Sequence, residues 1–111
     1  MEVVAGAQTV VGIHGCRNGE GADLILLGGL DHRLLKIVQG HLIRAGCRCL
    51  ASGHKFPATN RFNICNRGKS GRGVQIELPW DMRQSFLKTP QERKEFIGAI
   101  QAALVEYQVP T

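Results

Sequence analysis

The sequence has 111 residues, an apolar fraction of 43% and a formal net charge of +5. This length allows at most one domain, residues 1–111, with a single modest core, and the apolar fraction is typical of a globular chain rather than a disordered one. No apolar run is as long as a membrane helix and no secretory signal opens the chain, so we expect a cytoplasmic location and no membrane partner.

The positive charge is concentrated in the middle of the sequence. Residues 33–76 contain no acidic side chain, and the cations of this stretch are Arg33, Lys36, Arg44, Arg48, Lys55, Arg61, Arg67, Lys69 and Arg72. Such a region attracts anionic partners, whether nucleic acid, phosphate or a polycarboxylate. Charge alone does not distinguish among them.

The first half of the chain predicts two strands and a helix. The β-branched run Thr9–Ile13 indicates a buried strand that delivers His14 at its carboxyl end, and the apolar run 23–27 indicates a second strand. Asp31 is a suitable N-cap, and apolar residues then recur at helical spacing until Gly46.

The second half predicts two more strands and a helix. Residues 47–51 indicate a short strand, and residues 52–69 are irregular. Residues 74–78 indicate a strand that Pro79 ends. A capping box starting at Thr89 opens a helix that extends to about Gln108. Strands alternating with helices favour an α/β domain with a mostly parallel sheet.

Two side chains are the main candidates for chemistry. His14 follows a predicted strand and precedes a glycine, which is where open α/β sheets bind ligands; the alternative is a core or rim histidine with one hydrogen bond. Glu77 shares a strand face with Gln75 and is a candidate general base for a metal-bound water; the alternative is a surface carboxylate on a half-exposed strand.

The polar stretch between residues 60 and 73 is a candidate anion site. It combines asparagines, glycines and cations, although a solvated turn would have the same composition. Gly68-Lys69-Ser70 has the final residues of a phosphate-binding loop, but the glycine required five positions earlier is Asn63, and a β-type run follows instead of a helix.

Four motifs, in this order, resemble the poly-γ-glutamate hydrolase family. They are Val11-Gly-Ile-His14-Gly15, Leu27-Gly-Gly-Leu-Asp31, Asn63-Ile-Cys-Asn-Arg-Gly68 and Gly73-Val-Gln-Ile-Glu-Leu78. The resemblance extends from about residue 10 to about residue 83, and the final predicted helix is consistent with the C-terminal end of the family. The family includes phage-borne depolymerases and bacterial proteins labelled as phage-related replication proteins.

The resemblance implies a zinc-dependent amidohydrolase that cuts γ-glutamyl amide bonds in poly-γ-glutamate, an anionic polymer. It also implies a carboxypeptidase-like α/β fold with a mixed, mostly parallel sheet and flanking helices. By position, His14 would be the last of three protein ligands to zinc, and Glu77 would be the general base. The residues that would hold a substrate carboxylate or the developing oxyanion are Asn63, Asn66, Arg67 and Arg72.

The sequence departs from the family at the other zinc ligands. The family takes its first two ligands from a His-Gly-Gly…Glu stretch upstream, whereas here only residues 1–13 precede His14, and Glu2 is the sole possible ligand among them. We therefore expect the C-terminal half of a hydrolase domain, inactive alone, that binds zinc only when the missing ligands are supplied. Its exposed sheet edge would pair with the missing half or in a homodimer.

The alternative is a non-catalytic remnant that acts as a basic interaction or nucleic-acid-binding module. The sequence disfavours nucleic acid as the partner, because it has no recognition helix with clustered cations and its aromatic residues are few and scattered.

Overall fold

The computed structural model describes residues 4, 6–19 and 21–109. Its strands are β1 (Val11–Cys16), β2 (Leu24–Gly28), β3 (Arg48–Leu50) and β4 (Val74–Pro79). Its helices are α1 (His32–Arg44), α2 (Trp80–Lys88) and α3 (Pro90–Gln108), and a short 3-10 turn occupies Ile64–Asn66. Within the described residues, no helix combines the length and the apolar character needed to cross a bilayer.

The four strands form one mixed sheet in the order β1-β4-β2-β3. β1 runs parallel to β4 and β2 runs parallel to β3, whereas β4 and β2 are antiparallel. The predicted α/β architecture with a mostly parallel sheet is confirmed. The last strand of the chain lies inside the sheet, between strands from the first quarter of the sequence.

The two faces of β4 have different surroundings. Val74, Ile76 and Leu78 point into the core, where they pack with buried residues of α1 and α3. Gln75 and Glu77 point to the opposite face, and both are buried as well. Residues 51–73, called the covering segment below, lie over that face, as the hydrogen bond of 3.1 Å from Asn63 Nδ2 to Gln75 Oε1 shows.

The ends of α1 and the first residue of α3 follow the sequence prediction, but the capping bonds predicted at Thr89 do not form. Asp31 Oδ1 accepts a hydrogen bond of 3.0 Å from the backbone N–H of Leu34, as expected of an N-cap. Thr89, in contrast, makes no side-chain capping bond, so the predicted capping box is wrong. Glu92, the other residue of the predicted capping box, accepts a hydrogen bond from the hydroxyl of Ser85 instead. Ser85 lies in α2, a helix that the sequence did not predict.

β1 also differs from its prediction. The strand runs past His14 to Cys16, and it is half-exposed rather than buried. The reason is its place at the sheet edge, where β4 covers one side only. Ile13 accordingly keeps 54% of its surface exposed.

Candidate functional site

His14 and Glu77 lie side by side on neighbouring strands. They are register partners in the β1–β4 ladder, so their side chains share one face of the sheet. His14 Nδ1 lies 3.7 Å from Glu77 Oε1, which is too long for a hydrogen bond but close enough for an electrostatic contact. The predicted proximity of these two residues, which are remote in the sequence, is confirmed.

The carboxylate of Glu77 is buried and held in place by a chain of amides. Gln75 Nε2 donates a hydrogen bond of 3.0 Å to Glu77 Oε1. Gln75 Oε1 accepts from Asn63 Nδ2, and Asn63 Oδ1 accepts a bond of 3.1 Å from the backbone N–H of Cys65. Because each amide is fixed at both ends, the chain sets the orientation of the carboxylate. Sequence reasoning missed this role of Gln75, although it placed Gln75 and Glu77 on one face.

The surroundings of Glu77 also change its acidity. Burial raises the pKa of the Glu77 carboxyl above its ordinary value, and electrostatic interactions with His14, His54 and Arg83 partly oppose this rise. A carboxylate with a raised pKa is suited to accept a proton from water and to pass it on.

Arg83, in α2, joins the carboxyl ends of β1 and β4. Its Nη2 donates a hydrogen bond of 3.0 Å to the carbonyl of Cys16, and its Nε donates one of 3.2 Å to the carbonyl of Leu78. The guanidinium lies against Gly15, where an added Cβ would stand only 2.6 Å from Arg83 Cζ. Arg83 thus holds the two strands of the site together, and its place in an unpredicted helix explains why the sequence did not reveal it.

Asn66 is a buried structural residue. Its Oδ1 accepts from the backbone N–H groups of Leu30 and Gly73, at 3.1 and 3.0 Å. Its Nδ2 donates to the carbonyls of Ala58 and Asn60, at 2.7 and 3.0 Å. These four bonds use the whole capacity of the amide. The side chain therefore has no group left for the substrate contact that the resemblance implied, and it supports the segment that covers Glu77 instead.

Arg67 and Arg72 are placed differently from Asn66. Both are exposed. Within residues 6–19 and 21–109, no hydrogen bond or ion pair engages either guanidinium. Of the four predicted substrate-binding residues, these two present cations to solvent, whereas Asn63 is half-buried and Asn66 is buried.

His54 approaches the same face from the covering segment. Its Nδ1 accepts a hydrogen bond of 3.0 Å from the backbone N–H of Phe56, so Nε2 carries the proton that it donates to the carbonyl of Leu27 at 2.7 Å. These two bonds fix the orientation of the ring between β2 and the covering segment. Sequence reasoning treated His54 as a loop residue with a weak signal.

The described residues do not assemble a zinc site. A catalytic zinc takes three protein ligands, and the described part of the chain contains no group of three His, Cys, Asp or Glu side chains able to hold a metal. Glu2, the other candidate from the sequence, lies outside the described residues. The four cysteines are free thiols, and burial raises the pKa of Cys49 to about 12 and that of Cys65 to about 11. Of the two ligand candidates from the sequence, His14 is the one that lies within the described residues.

A groove of about 590 Å³ lies elsewhere, between α2, the start of α3 and the loop before β3. Asp81, Glu92 and Glu95 are among its lining residues, but His14 and Glu77 are not. The groove is therefore separate from the His14–Glu77 site.

The mixed sheet, its helices and the site at the β1–β4 pair define a carboxypeptidase-like, or zinc peptidase-like, fold. Residues 1–101 match the family model described as poly-gamma-glutamate hydrolase, and the chain belongs to that family. A search of curated proteins gives no significant match.

Two solved structures have the same fold. One is a bacteriophage poly-gamma-glutamate hydrolase, with a TM-score of 0.79 and 30% sequence identity over 87% of this chain and 52% of the phage chain. The other, a protein named YNDL in a zinc-free apo form, has a TM-score of 0.80 and 24% identity over 96% of this chain and 58% of its own. The present chain thus spans little more than half the length of these structures.

Proposed function

We propose that this chain provides the general-base part of a zinc-dependent hydrolase that cuts γ-glutamyl amide bonds in poly-γ-glutamate. The observation that carries the proposal is the buried carboxylate of Glu77, oriented by Gln75 and placed 3.7 Å from His14. Membership of the poly-gamma-glutamate hydrolase family and the likeness to the phage enzyme support this reaction class.

Glu77 would transfer one proton twice. Its ionised carboxylate accepts a proton from the attacking water as the water oxygen bonds to the amide carbon. The same carboxyl then donates that proton to the leaving nitrogen as the C–N bond breaks, which regenerates the carboxylate. Burial favours the first step, because a raised pKa makes the carboxylate a stronger base. Zinc, held by His14 and by ligands from outside the described residues, would supply a Lewis acid beside this carboxylate.

Poly-γ-glutamate is a polycarboxylate, and the covering segment carries two exposed arginines that could bind its carboxylates. Arg67 and Arg72 each present a planar guanidinium that binds a carboxylate through two parallel hydrogen bonds. We propose that these two side chains bind substrate carboxylates, while Asn63 acts through Gln75 and Asn66 maintains the segment that carries the arginines.

Cleavage of poly-γ-glutamate tests the proposal. The chain is assayed with Zn²⁺, alone and together with the part of the phage hydrolase that it does not cover, and polymer length is followed by size-exclusion chromatography. We expect Glu77→Gln to remove cleavage while leaving bound zinc unchanged, and His14→Ala to remove both. Poly-α-glutamate, which has the same charge but α-linked amides, serves as the control polymer.

Two results would contradict the proposal. One is cleavage at the wild-type rate by Glu77→Gln. The other is the absence of cleavage by every wild-type combination that has bound stoichiometric zinc.

A non-catalytic binding module is the second candidate, and two observations favour it. The described residues hold no three-ligand metal cluster, and exposed cations are numerous on the covering segment. Its test is binding to duplex DNA at several salt concentrations. A steep loss of affinity with salt, with no cleavage of poly-γ-glutamate, would favour this function.

A further inference from the structure

Arg61 and Phe62 form a cation–aromatic pair on the surface of the covering segment. Arg61 Cζ lies 4.8 Å from the centre of the Phe62 ring, which is close enough for a cation–π contact. Phe62 nevertheless keeps 68% of its surface exposed, so much of the ring is not covered by the guanidinium. The pair therefore presents a cation and an apolar surface side by side.

Another cation–π pair, Arg33 with Tyr107, has a structural role and makes the difference clear. The guanidinium of Arg33 donates hydrogen bonds of 3.0 and 3.2 Å to the carbonyls of Tyr107 and Val109, so it ties α1 to the end of α3. Among the described residues, no hydrogen bond or ion pair engages the guanidinium of Arg61. Its donors are thus available to an anion from solution.

The backbone that carries the pair is fixed by buried hydrogen bonds. Asn60 Oδ1 accepts a bond of 2.8 Å from the backbone N–H of Phe62, and the Asn60 carbonyl accepts from Asn66 Nδ2. Ala58 adopts a left-handed φ of 51°, and its carbonyl also accepts from Asn66 Nδ2. An alanine keeps this unfavourable conformation only where its neighbours enforce it. The exposure of Phe62 is therefore built into the segment.

The pair is directly connected to the groups that orient Glu77. Asn63 follows Phe62 in the chain and donates to Gln75, which in turn donates to Glu77. Consecutive Cα atoms are about 3.8 Å apart, so the pair begins one residue from this hydrogen-bonded chain. A polymeric substrate extends beyond the bond that is cut, and its neighbouring units have to lie on surfaces near Glu77.

The repeating unit of poly-γ-glutamate matches both parts of the pair. Its carboxylate is attached directly to the main chain, next to two main-chain methylenes. A guanidinium binds the carboxylate, while an aromatic surface removes the methylenes from water. Polyphosphate, in contrast, offers anionic groups without methylenes.

We propose that Arg61 and Phe62 form a substrate subsite for a γ-glutamyl unit outside the scissile bond. Arg61 binds the carboxylate of that unit, and Phe62 packs against its main-chain methylenes. The identity of the polymer rests on the proposed function, whereas binding at this subsite requires neither zinc nor cleavage.

Equilibrium binding in EDTA tests the proposal. The full chain is titrated into labelled poly-γ-glutamate and into labelled polyphosphate, and fluorescence anisotropy is measured. Phe62→Ala should weaken binding of poly-γ-glutamate about fourfold, the value of one fully buried methylene, because one ring surface covers roughly half of two methylenes. Binding of polyphosphate should change little, since it offers the ring no apolar carbon.

Three further variants serve as controls, and circular dichroism checks that each is folded. Phe62→Tyr retains the ring and should bind poly-γ-glutamate as the wild type does. Leu87→Ala removes an apolar side chain that is 71% exposed on α2, outside the covering segment, and should have no effect on either polymer. Arg61→Ala should weaken binding of both polymers, and more strongly at low salt.

The outcomes separate this subsite from the hydrolytic reaction. The proposal is overturned if the wild type does not bind poly-γ-glutamate, if Phe62→Ala weakens both polymers equally, or if Leu87→Ala has the same effect. Phe62-dependent binding of oligothymidine that is tighter than binding of poly-γ-glutamate would also overturn it, in favour of base stacking. Phe62-dependent binding of poly-γ-glutamate without cleavage by the zinc-loaded chain would retain the subsite and contradict the proposed function. Glu77-dependent cleavage with unchanged binding in Phe62→Ala would do the reverse.

Discussion

At the scale of single residues, Glu77 experiences two opposing effects. Burial penalises its ionised form, whereas the hydrogen bond from Gln75 and the nearby cationic groups stabilise that form. The net effect is a raised pKa, so the ionised carboxylate lowers the stability of the folded state at neutral pH. Such a cost at a site is expected where the side chain serves chemistry rather than stability.

Glu77→Gln should therefore stabilise the metal-free protein at neutral pH. The glutamine retains an oxygen that can accept from Gln75 and carries no charge. Since the folded pKa of Glu77 is above its ordinary value of 4.5, the wild type loses stability relative to the variant as pH rises through that folded pKa. Below pH 4.5 both side chains are neutral and the two proteins should be equally stable. Urea unfolding in EDTA at several pH values measures this difference. A wild type more stable than the variant at neutral pH would refute the prediction.

Asn66→Asp should be among the more destabilising single changes. Aspartate keeps the acceptor for Leu30 and Gly73 but loses both donors to the carbonyls of Ala58 and Asn60, and it buries a negative charge beside them. A loss of about 3 kcal/mol or more in the free energy of unfolding is expected. The control is Asn60→Ala, which removes one exposed bond to Phe62 N–H and should cost about 1 kcal/mol or less. Equal losses in the two variants, measured by urea unfolding, would contradict the buried role of Asn66.

At the scale of elements, α2 matters because its Arg83 connects β1 with β4. Arg83 donates hydrogen bonds to carbonyls at the carboxyl ends of both strands, those of Cys16 and Leu78, so α2 fixes the end of the ladder that holds the His14–Glu77 pair. This connection depends on the absence of a side chain at Gly15.

A double-mutant cycle measures that dependence. Gly15→Ala should destabilise the wild type by about 1 kcal/mol, because the new Cβ displaces the end of the Arg83 side chain from its two hydrogen bonds. In the Arg83→Ala background the overlap is gone, and the same change should have much less effect. The readout is the free energy of unfolding of the four proteins. Additive losses would show that Arg83 and Gly15 do not interact.

Particular residues show what the sequence could predict. Alternation along β4 and the spacing of apolar residues in α1 are local patterns, and the structure confirms both. The resemblance placed His14 beside Glu77, and the β1–β4 register confirms that proximity. The bonds of Asn66 and Arg83 were not predictable, because they join groups that only tertiary structure brings together. Thr89 precedes α3 as predicted, but the capping box does not form, since Glu92 accepts a hydrogen bond from Ser85 of α2 instead.

At the scale of the whole molecule, the acid-free stretch supplies cations to both sides of the sheet. It includes the segment that covers Gln75 and Glu77, and it also includes α1, which packs with α3 on the opposite face. A polyanion would therefore be attracted to both faces, including the one where Glu77 lies, and more strongly at low ionic strength.

The double variant Arg67→Ala/Arg72→Ala should weaken poly-γ-glutamate binding about tenfold at low salt, through loss of two carboxylate-binding cations. The control Lys36→Ala/Lys94→Ala removes the same charge from exposed positions on α1 and α3, and should have a smaller effect. Fluorescence anisotropy with labelled polymer measures both. Equal weakening would indicate that only net charge matters.

The strand order also has a consequence for synthesis on the ribosome. β1 is translated before its partner β4, and β2, α1, β3 and the covering segment lie between them in the sequence. During that interval β2, α1 and β3 can assemble locally, whereas β1 has not yet met the strand with which it pairs. The nascent chain thus exposes the unpaired backbone groups of β1 until β4 has been translated, and premature release at that stage would favour aggregation through this strand.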